Sequence, residues 1–107
     1  GNHDIIPTYL YENLGVHLFD TWTLDPFILT HHPTKAKSVF NFCGHIHPGV
    51  RLRGTGRQSL KLPCFFKTEH QMILPAFGNF TGKYLLTPSQ NDAVYVIADG
   101  EVIQVSV

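Results

Sequence analysis

The sequence predicts a small α/β domain in which β-strands predominate. Two short apolar runs, each followed by a pair of histidines, have the length and composition of buried strands. The stretch DAVYVIADGEVIQVSV alternates on both sides of Asp99–Gly100, which predicts a hairpin with a type I′ turn. The 107 residues are 43% apolar and 12% aromatic, enough for a core in one small domain or in a piece of a larger one.

The elements are predicted in chain order as follows. Pro7 introduces TYLYENLG, a short helical turn that ends at Gly15 as a glycine C-cap. The apolar runs at 27–29 and 39–43 are the two strands, and both are expected to be buried on both faces. A hairpin is expected around residues 54–56, followed by a strand in QMILPAFG. Because both apolar runs end in histidines, the histidines should lie at the carboxyl ends of neighbouring strands, where open α/β sheets bind ligands.

Charge and cysteine content exclude some classes of protein. The formal net charge is zero, so a general attraction to nucleic acid or membrane is not indicated. Five of the eight basic residues lie between positions 51 and 67, as a phosphate-facing patch or as the solvated edge of a hairpin. Cys43 and Cys64 form no CxxC pair, which favours two buried thiols in a cytosolic protein. No apolar run reaches the roughly 20 residues of a membrane span, and no signal peptide is visible, so a cytoplasmic location is expected.

Histidine is over-represented, with seven residues, of which four lie in the motifs HHP and GHIH. His45 and His47 are one residue apart, and alternate residues of an extended segment project to one side, so both could reach one site. Gly44 would allow a sharp turn before them. His31 directly follows its strand and is the candidate metal ligand of its pair, while His32 is expected on the substrate side or behind a ligand. Imidazoles suit Mn, Fe or Zn.

The sequence begins with GNHD. The side chains of this tetrapeptide could have separate roles in a hydrolytic site. Asn2 could hold a metal, His3 could protonate a leaving group, and Asp4 could orient the imidazole. A site with two metals needs such parts, because paired cations stabilise both the attacking and the leaving oxygen.

The motifs, taken together, resemble the calcineurin-like metallophosphoesterase superfamily. Its motifs run Asp-x-His, Gly-Asp, Gly-Asn-His-Asp/Glu, a strand-ending His, and Gly-His-x-His, and the last three occur here in order at 1–4, His31 and 44–47. The phrases GHIHPGVRL, LPCFF and ILPAFGNFTG resemble the bacterial DNA-ligase-associated metallophosphoesterases, which are phosphodiesterases or endonucleases of the DNA damage response. The resemblance covers essentially all of the chain.

The resemblance implies a four-layer α/β/β/α sandwich, of which residues 1–107 would be the C-terminal portion. It also implies two divalent metals, manganese first, with iron or zinc as alternatives. The implied metal ligands are Asn2, His31 and His45 for one ion and His47 for the other.

The resemblance further implies a reaction. A hydroxide activated by the two metals would attack a phosphodiester of DNA or of a nucleotide. His3 would be the general acid or would stabilise the transition state, with Asp4 as its partner. Arg51 and Arg53 could meet substrate phosphates, although salt bridging or plain solvent exposure fits them equally well. A functional link to a DNA ligase or helicase system is also implied.

The family's first two motifs are absent, since no Asp-x-His occurs in the sequence. The chain is therefore expected to be the C-terminal half of a longer protein. Alone, it should bind metal weakly, be nearly inactive and self-associate through an uncovered strand edge.

Three alternatives remain open at this point. The same scaffold could serve a phosphomonoesterase or a cyclic-nucleotide phosphodiesterase, because the chemistry at phosphorus is shared. The chain could instead be a non-catalytic metal-binding or protein-interaction module. The histidines could also be ordinary core and loop residues.

Overall fold

The computed structural model describes residues 5–35, 38–78 and 81–106. Within these ranges it has one helix and nine strands. Their bounds are α1 Thr8–Asn13, β1 Thr21–Leu24, β2 Phe27–Thr30, β3 Phe40–Cys43, β4 Pro48–Arg53, β5 Ser59–Lys67, β6 Gln71–Ile73, β7 Tyr84–Leu85, β8 Ala93–Ala98 and β9 Glu101–Val105. No helix among the described residues is long and apolar enough to cross a membrane.

The nine strands form one mixed sheet that divides along β5. The first part of β5 pairs with β4, which in turn pairs with β7. The last residues of β5 pair with β6 on one side and with β8 on the other, and β9 pairs with β8. Beyond β6 the sheet continues through β3, β2 and β1. The described residues are thus compatible with part of an α/β fold, and the four-layer sandwich stays a prediction.

The two strands predicted from apolar runs lie next to each other. β2 and β3 are parallel, with Phe27 opposite Phe40 and Leu29 opposite Phe42. Parallel strands in this register end at the same edge of the sheet, so the segments that follow them meet there. The prediction that the histidine pairs follow neighbouring strands is confirmed.

The core lies where β5 crosses between the two parts of the sheet. Its buried residues come from five strands and are Cys43, Val50, Cys64, Phe66, Ile73, Val94 and Val96. Every second residue of β8 is buried, as expected for a strand with one inward face. Both cysteines are free and buried, which confirms the prediction of two buried thiols.

Two local turn predictions are confirmed in detail. After α1, the Gly15 and Val16 amides donate to the carbonyls of Glu12 and Tyr11, and Gly15 has a φ of +77°. This is the Schellman ending that favours glycine. At the β8–β9 turn, Asp99 and Gly100 have φ of +52° and +74°, as a type I′ turn requires.

The prediction that β2 is buried on both faces is wrong for the described structure. Phe27 is 40% exposed, and the preceding strand β1, which the sequence analysis did not predict, exposes all four residues. The physical reason is that no described element packs on this face, since α1 contains no buried residue. The large apolar side chains between residues 5 and 27 are therefore largely exposed, and we call them together the apolar surface.

Candidate metal centre

Three histidines meet where β2 and β3 end. The amide of Gly44 donates to the carbonyl of His31 at 2.9 Å, which joins the segments that follow the two strands. His31 Nε2 lies 3.1 Å from His45 Nδ1. The ring of His32 lies against both, with its centroid 4.9 Å from that of His31 and 4.1 Å from that of His45. One ligand nitrogen from each of the three rings lies within 4.8 Å of the other two.

This arrangement brings together three of the residues singled out in the sequence. His31 and His45 were expected to share a metal, and His32 was expected on the substrate side or behind a ligand. The structure adds His32 to the same group. His47 is not a member of that group in the described part of the chain. Asn2, His3 and Asp4 lie outside the described residues.

The backbone of the GHIH segment turns at its histidines. His45 has a φ of +69°, and the amide of Ile46 donates to the carbonyl of Gly44 at 2.8 Å, which closes a γ-turn centred on His45. His47 also has a positive φ, of +57°. The extended segment with alternating histidines is therefore not present, and the left-handed residues are the histidines and not Gly44. Such strained positions cluster at functional sites in proteins.

Asn41 anchors the segment that carries His31 and His32, and the sequence analysis missed it. Its side chain is fully buried in the middle of β3. The amide nitrogen donates to Thr30 Oγ1 at 2.9 Å and to the Ile28 carbonyl at 3.1 Å. The amide oxygen accepts from the backbone N–H of Thr34 at 3.0 Å. One side chain thus joins β2 to the residues on both sides of the histidine pair.

Two threonines complete this anchor. Thr30 Oγ1 donates to the carbonyl of His32 at 2.6 Å, and Thr34 Oγ1 donates to the same carbonyl at 3.2 Å. The backbone at His32 is therefore held from both sides. The available signal was the polar Asn within the apolar run VFNFC, because a buried amide needs partners nearby.

The surroundings of His31 favour its uncharged form. Burial lowers the pKa of His31 below its ordinary value of 6.5, and the neighbouring rings of His32 and His45 lower it further. A neutral imidazole has a lone pair to offer to a metal, whereas a protonated one does not. Three imidazoles with ligand nitrogens this close together suit a divalent transition metal.

An open cavity of about 740 Å³ lies beside His31 and His32. Its far wall includes the stacked rings of Phe19 and Trp22, whose centroids are 5.3 Å apart. Residues of β1 and β2 line the cavity together with the two histidines. The predicted substrate residues Arg51 and Arg53 lie on β4 and do not line this cavity.

Comparison with known proteins identifies a relative of known structure. The fold matches the crystal structure of the nuclease MPE from Pseudomonas putida with a TM-score of 0.74 and 35% sequence identity. This chain is similar to a nuclease. The match covers 88% of this chain and 45% of the nuclease chain, so this chain spans less than half of the nuclease's length. No protein-family model and no curated protein matches the sequence.

Proposed function

We propose that this chain is part of a metal-dependent phosphodiesterase of the calcineurin-like metallophosphoesterase superfamily, acting on nucleic acid or nucleotides. The proposal rests above all on the meeting of His31, His32 and His45 at the ends of two parallel strands. The similarity to a nuclease supports the class of substrate. A DNA-repair role, a link to a DNA ligase or helicase system, and a cytoplasmic location stay predictions from the resemblance.

In this proposal His31 and His45 bind one divalent metal, with Asn2 as a further ligand, and His47 binds a second. The bound metals would polarise the phosphoryl group and supply a nucleophile at neutral pH. His32 lies against both ligand rings and lines the open cavity. A ring N–H of His32 can therefore donate to a phosphate oxygen of a substrate bound there. His3 protonates the leaving oxygen, and Asp4 orients its ring.

The donors that this chain lacks would come from polypeptide beyond these 107 residues. Neither Asp-x-His nor Gly-Asp occurs in the sequence, and carboxylates are the usual bridges between paired metals. The apolar surface over residues 5–27, including Phe19 and Trp22, is the kind of face that the remainder of such a domain would cover. We therefore place the chain as the C-terminal portion of one metallophosphoesterase domain.

Hydrolysis of bis(p-nitrophenyl) phosphate with added Mn²⁺ tests this function. The 107-residue chain is compared with a version extended upstream, and each is also made with His3→Ala or His31→Ala. Activity in the extended version that falls at least about 100-fold with either substitution supports the proposal. His70→Ala is the matched control, because its side chain is 70% exposed and its ion-pair partner among the described residues is the neighbouring Glu69.

Metal binding provides a readout that does not depend on turnover. Calorimetric titration of the chain with Mn²⁺ should show binding that weakens with His31→Ala or His45→Ala and persists with His70→Ala. Binding that is equal in all variants would overturn the assignment of these ligands.

A non-catalytic metal-binding module is the second candidate. It is favoured by one observation, that the metal-ligand group among the described residues consists of imidazoles alone. Metal binding by the extended version without hydrolysis of either bis(p-nitrophenyl) phosphate or p-nitrophenyl phosphate would establish it. Hydrolysis of the monoester alone would instead establish a phosphomonoesterase.

A further inference from the structure

The β4–β5 hairpin has one apolar face and one basic face. Val50 is fully buried, and the next inward residue, Leu52, packs against the core. Because successive residues of a strand point to opposite faces, Arg51 and Arg53 point outward. They are neighbours on that face, about 6.6 Å apart along the strand.

The partner strand adds a third cation to this face. Arg51 lies directly opposite Lys61 in the antiparallel register, and Arg53 lies opposite Ser59. Side chains at paired positions point to the same face, so the Arg51 and Lys61 charges lie side by side. Like charges placed directly opposite each other destabilise a sheet. Among the described residues, no carboxylate forms an ion pair with either of them.

A fourth cation comes from the segment before β7. A Cβ placed on Gly49 would lie 3.1 Å from Lys83 Cβ and 3.2 Å from Lys83 Cδ, so the Lys83 stem crosses the outward face of Gly49. Gly49 and Arg51 are two residues apart on the same face. The cations Lys83, Arg51, Arg53 and Lys61 therefore share one outer surface, which we call the basic face.

The basic face begins close to His47 along the chain. His47 precedes β4 directly, and Arg51 is about 13 Å further along an extended strand. A groove of about 320 Å³ runs between the two arginines and residues 85–88. The whole chain has no net charge, so this surface is a local concentration of positive charge and not a general property.

We propose that the basic face binds the phosphate backbone of a polynucleotide substrate and leads it toward the histidines. Arginine and lysine side chains without carboxylate partners, arranged along a strand, are the donors that phosphate backbones recruit. The identification of the ligand as a polynucleotide rests on the proposed function. The face itself rests on register, burial and charge.

The test is fluorescence anisotropy of labelled twelve-nucleotide single strands and twelve-base-pair duplexes, measured in EDTA over a range of salt concentrations. Arg51→Gln and Lys61→Gln should each weaken binding at least about fivefold and reduce the slope of log affinity against log salt by about one. Lys67→Gln is the matched control, since Lys67 lies on the same strand but over the Phe40 ring. It should change affinity less than about twofold.

Several results would overturn the proposal. One is that neither oligonucleotide binds. Another is that Lys67→Gln and Lys61→Gln weaken binding equally. A third is that Arg51→Gln leaves the slope of log affinity against log salt unchanged. Binding to phosphatidylserine vesicles with none to oligonucleotides would also overturn it. A stronger loss for Arg51→Glu than for Arg51→Gln would support it independently.

Because the binding assay contains no metal, its outcome is separate from that of catalysis. Oligonucleotide binding by this chain, with no hydrolysis by the version extended upstream, would overturn the proposed function and leave the assignment of the basic face intact. Hydrolysis of bis(p-nitrophenyl) phosphate without oligonucleotide binding would support the proposed function and overturn the assignment of the basic face.

Discussion

His31 Nε2 and His45 Nδ1 face each other at 3.1 Å across the loops that follow two parallel strands. At this distance one nitrogen donates and the other accepts, which requires at least one neutral ring. Protonation of both rings would place two cations in contact. At least one of the two rings is therefore neutral, and a neutral ring is the form that binds a metal.

The first prediction concerns the protonation of His31. Its pKa is lowered by burial and by its histidine neighbours, so its NMR titration midpoint should lie below 6.5. Because the pKa of His31 is lowered, the folded state prefers the neutral ring. This preference stabilises the fold above pH 6.5, and the stabilisation is lost as the pH falls through the lowered pKa. In His45→Ala the midpoint should move back toward 6.5. A midpoint at or above 6.5 in the unaltered chain would contradict this account.

The second prediction concerns Asn41. Asn41→Leu removes the acceptor of the Thr34 N–H and the donor to Thr30 Oγ1, although the Thr30 hydroxyl still donates to the carbonyl of His32. A buried polar group that loses its partner costs about 1–3 kcal/mol. We expect the free energy of unfolding to fall by about 2–4 kcal/mol, as measured by urea denaturation. Mn²⁺ affinity should fall as well, because the segment carrying His31 loses its anchor.

Asn13→Leu is the control for this change, because Asn13 is exposed at the end of α1. It should alter stability by less than about 0.5 kcal/mol. If Asn41→Leu were as stable as the unaltered chain, the buried amide would not be the anchor that its hydrogen bonds indicate.

Local signals account for what the sequence predicts well. The ends of β2 and β3 follow from apolar runs that stop at histidines, and the β8–β9 turn follows from Asp99–Gly100. Each of these depends on a few adjacent residues whose backbone preferences agree with the fold. The approach of His31 to His45 could be expected for the same reason, once both strands end at one edge.

What the sequence does not predict depends on distant partners. β1 and β7 are short and become strands only by pairing with β2 and β4. β3 pairs with β6 through Cys43 and Ile73, a relationship that no local pattern encodes. The γ-turn at His45 is not predicted either, since histidine has no preference for it strong enough to be recognised in GHIH.

The third prediction concerns the two thiols. Burial raises the pKa of Cys43 and of Cys64 to about 11, from an ordinary value of 9.0. At pH 8 the folded chain should react with a disulfide reagent roughly 100-fold more slowly than the chain unfolded in guanidinium, because the thiolate is the nucleophile. The preference for the neutral thiol stabilises the fold below pH 9 and is lost as the pH rises through about 11. Equal rates in the two states would show that the thiols are accessible.

The fourth prediction concerns the β8–β9 turn. Gly100 has a φ of +74°, and a Cβ added there would meet no atom within 4 Å. Gly100→Ala therefore introduces backbone strain without a steric clash, and should cost about 1–2 kcal/mol.

The matched variant is Gly82→Ala, which also has open space but lies outside the left-handed region. It should leave Tm unchanged or raise it slightly, because alanine restricts the unfolded chain more than glycine does. Val94 and Val96 of β8 belong to the core, so loosening the hairpin should weaken the packing on β5 and lower Tm cooperatively. If Gly100→Ala and Gly82→Ala melted at the same temperature, the type I′ turn would not be what fixes the register of β8 against β9.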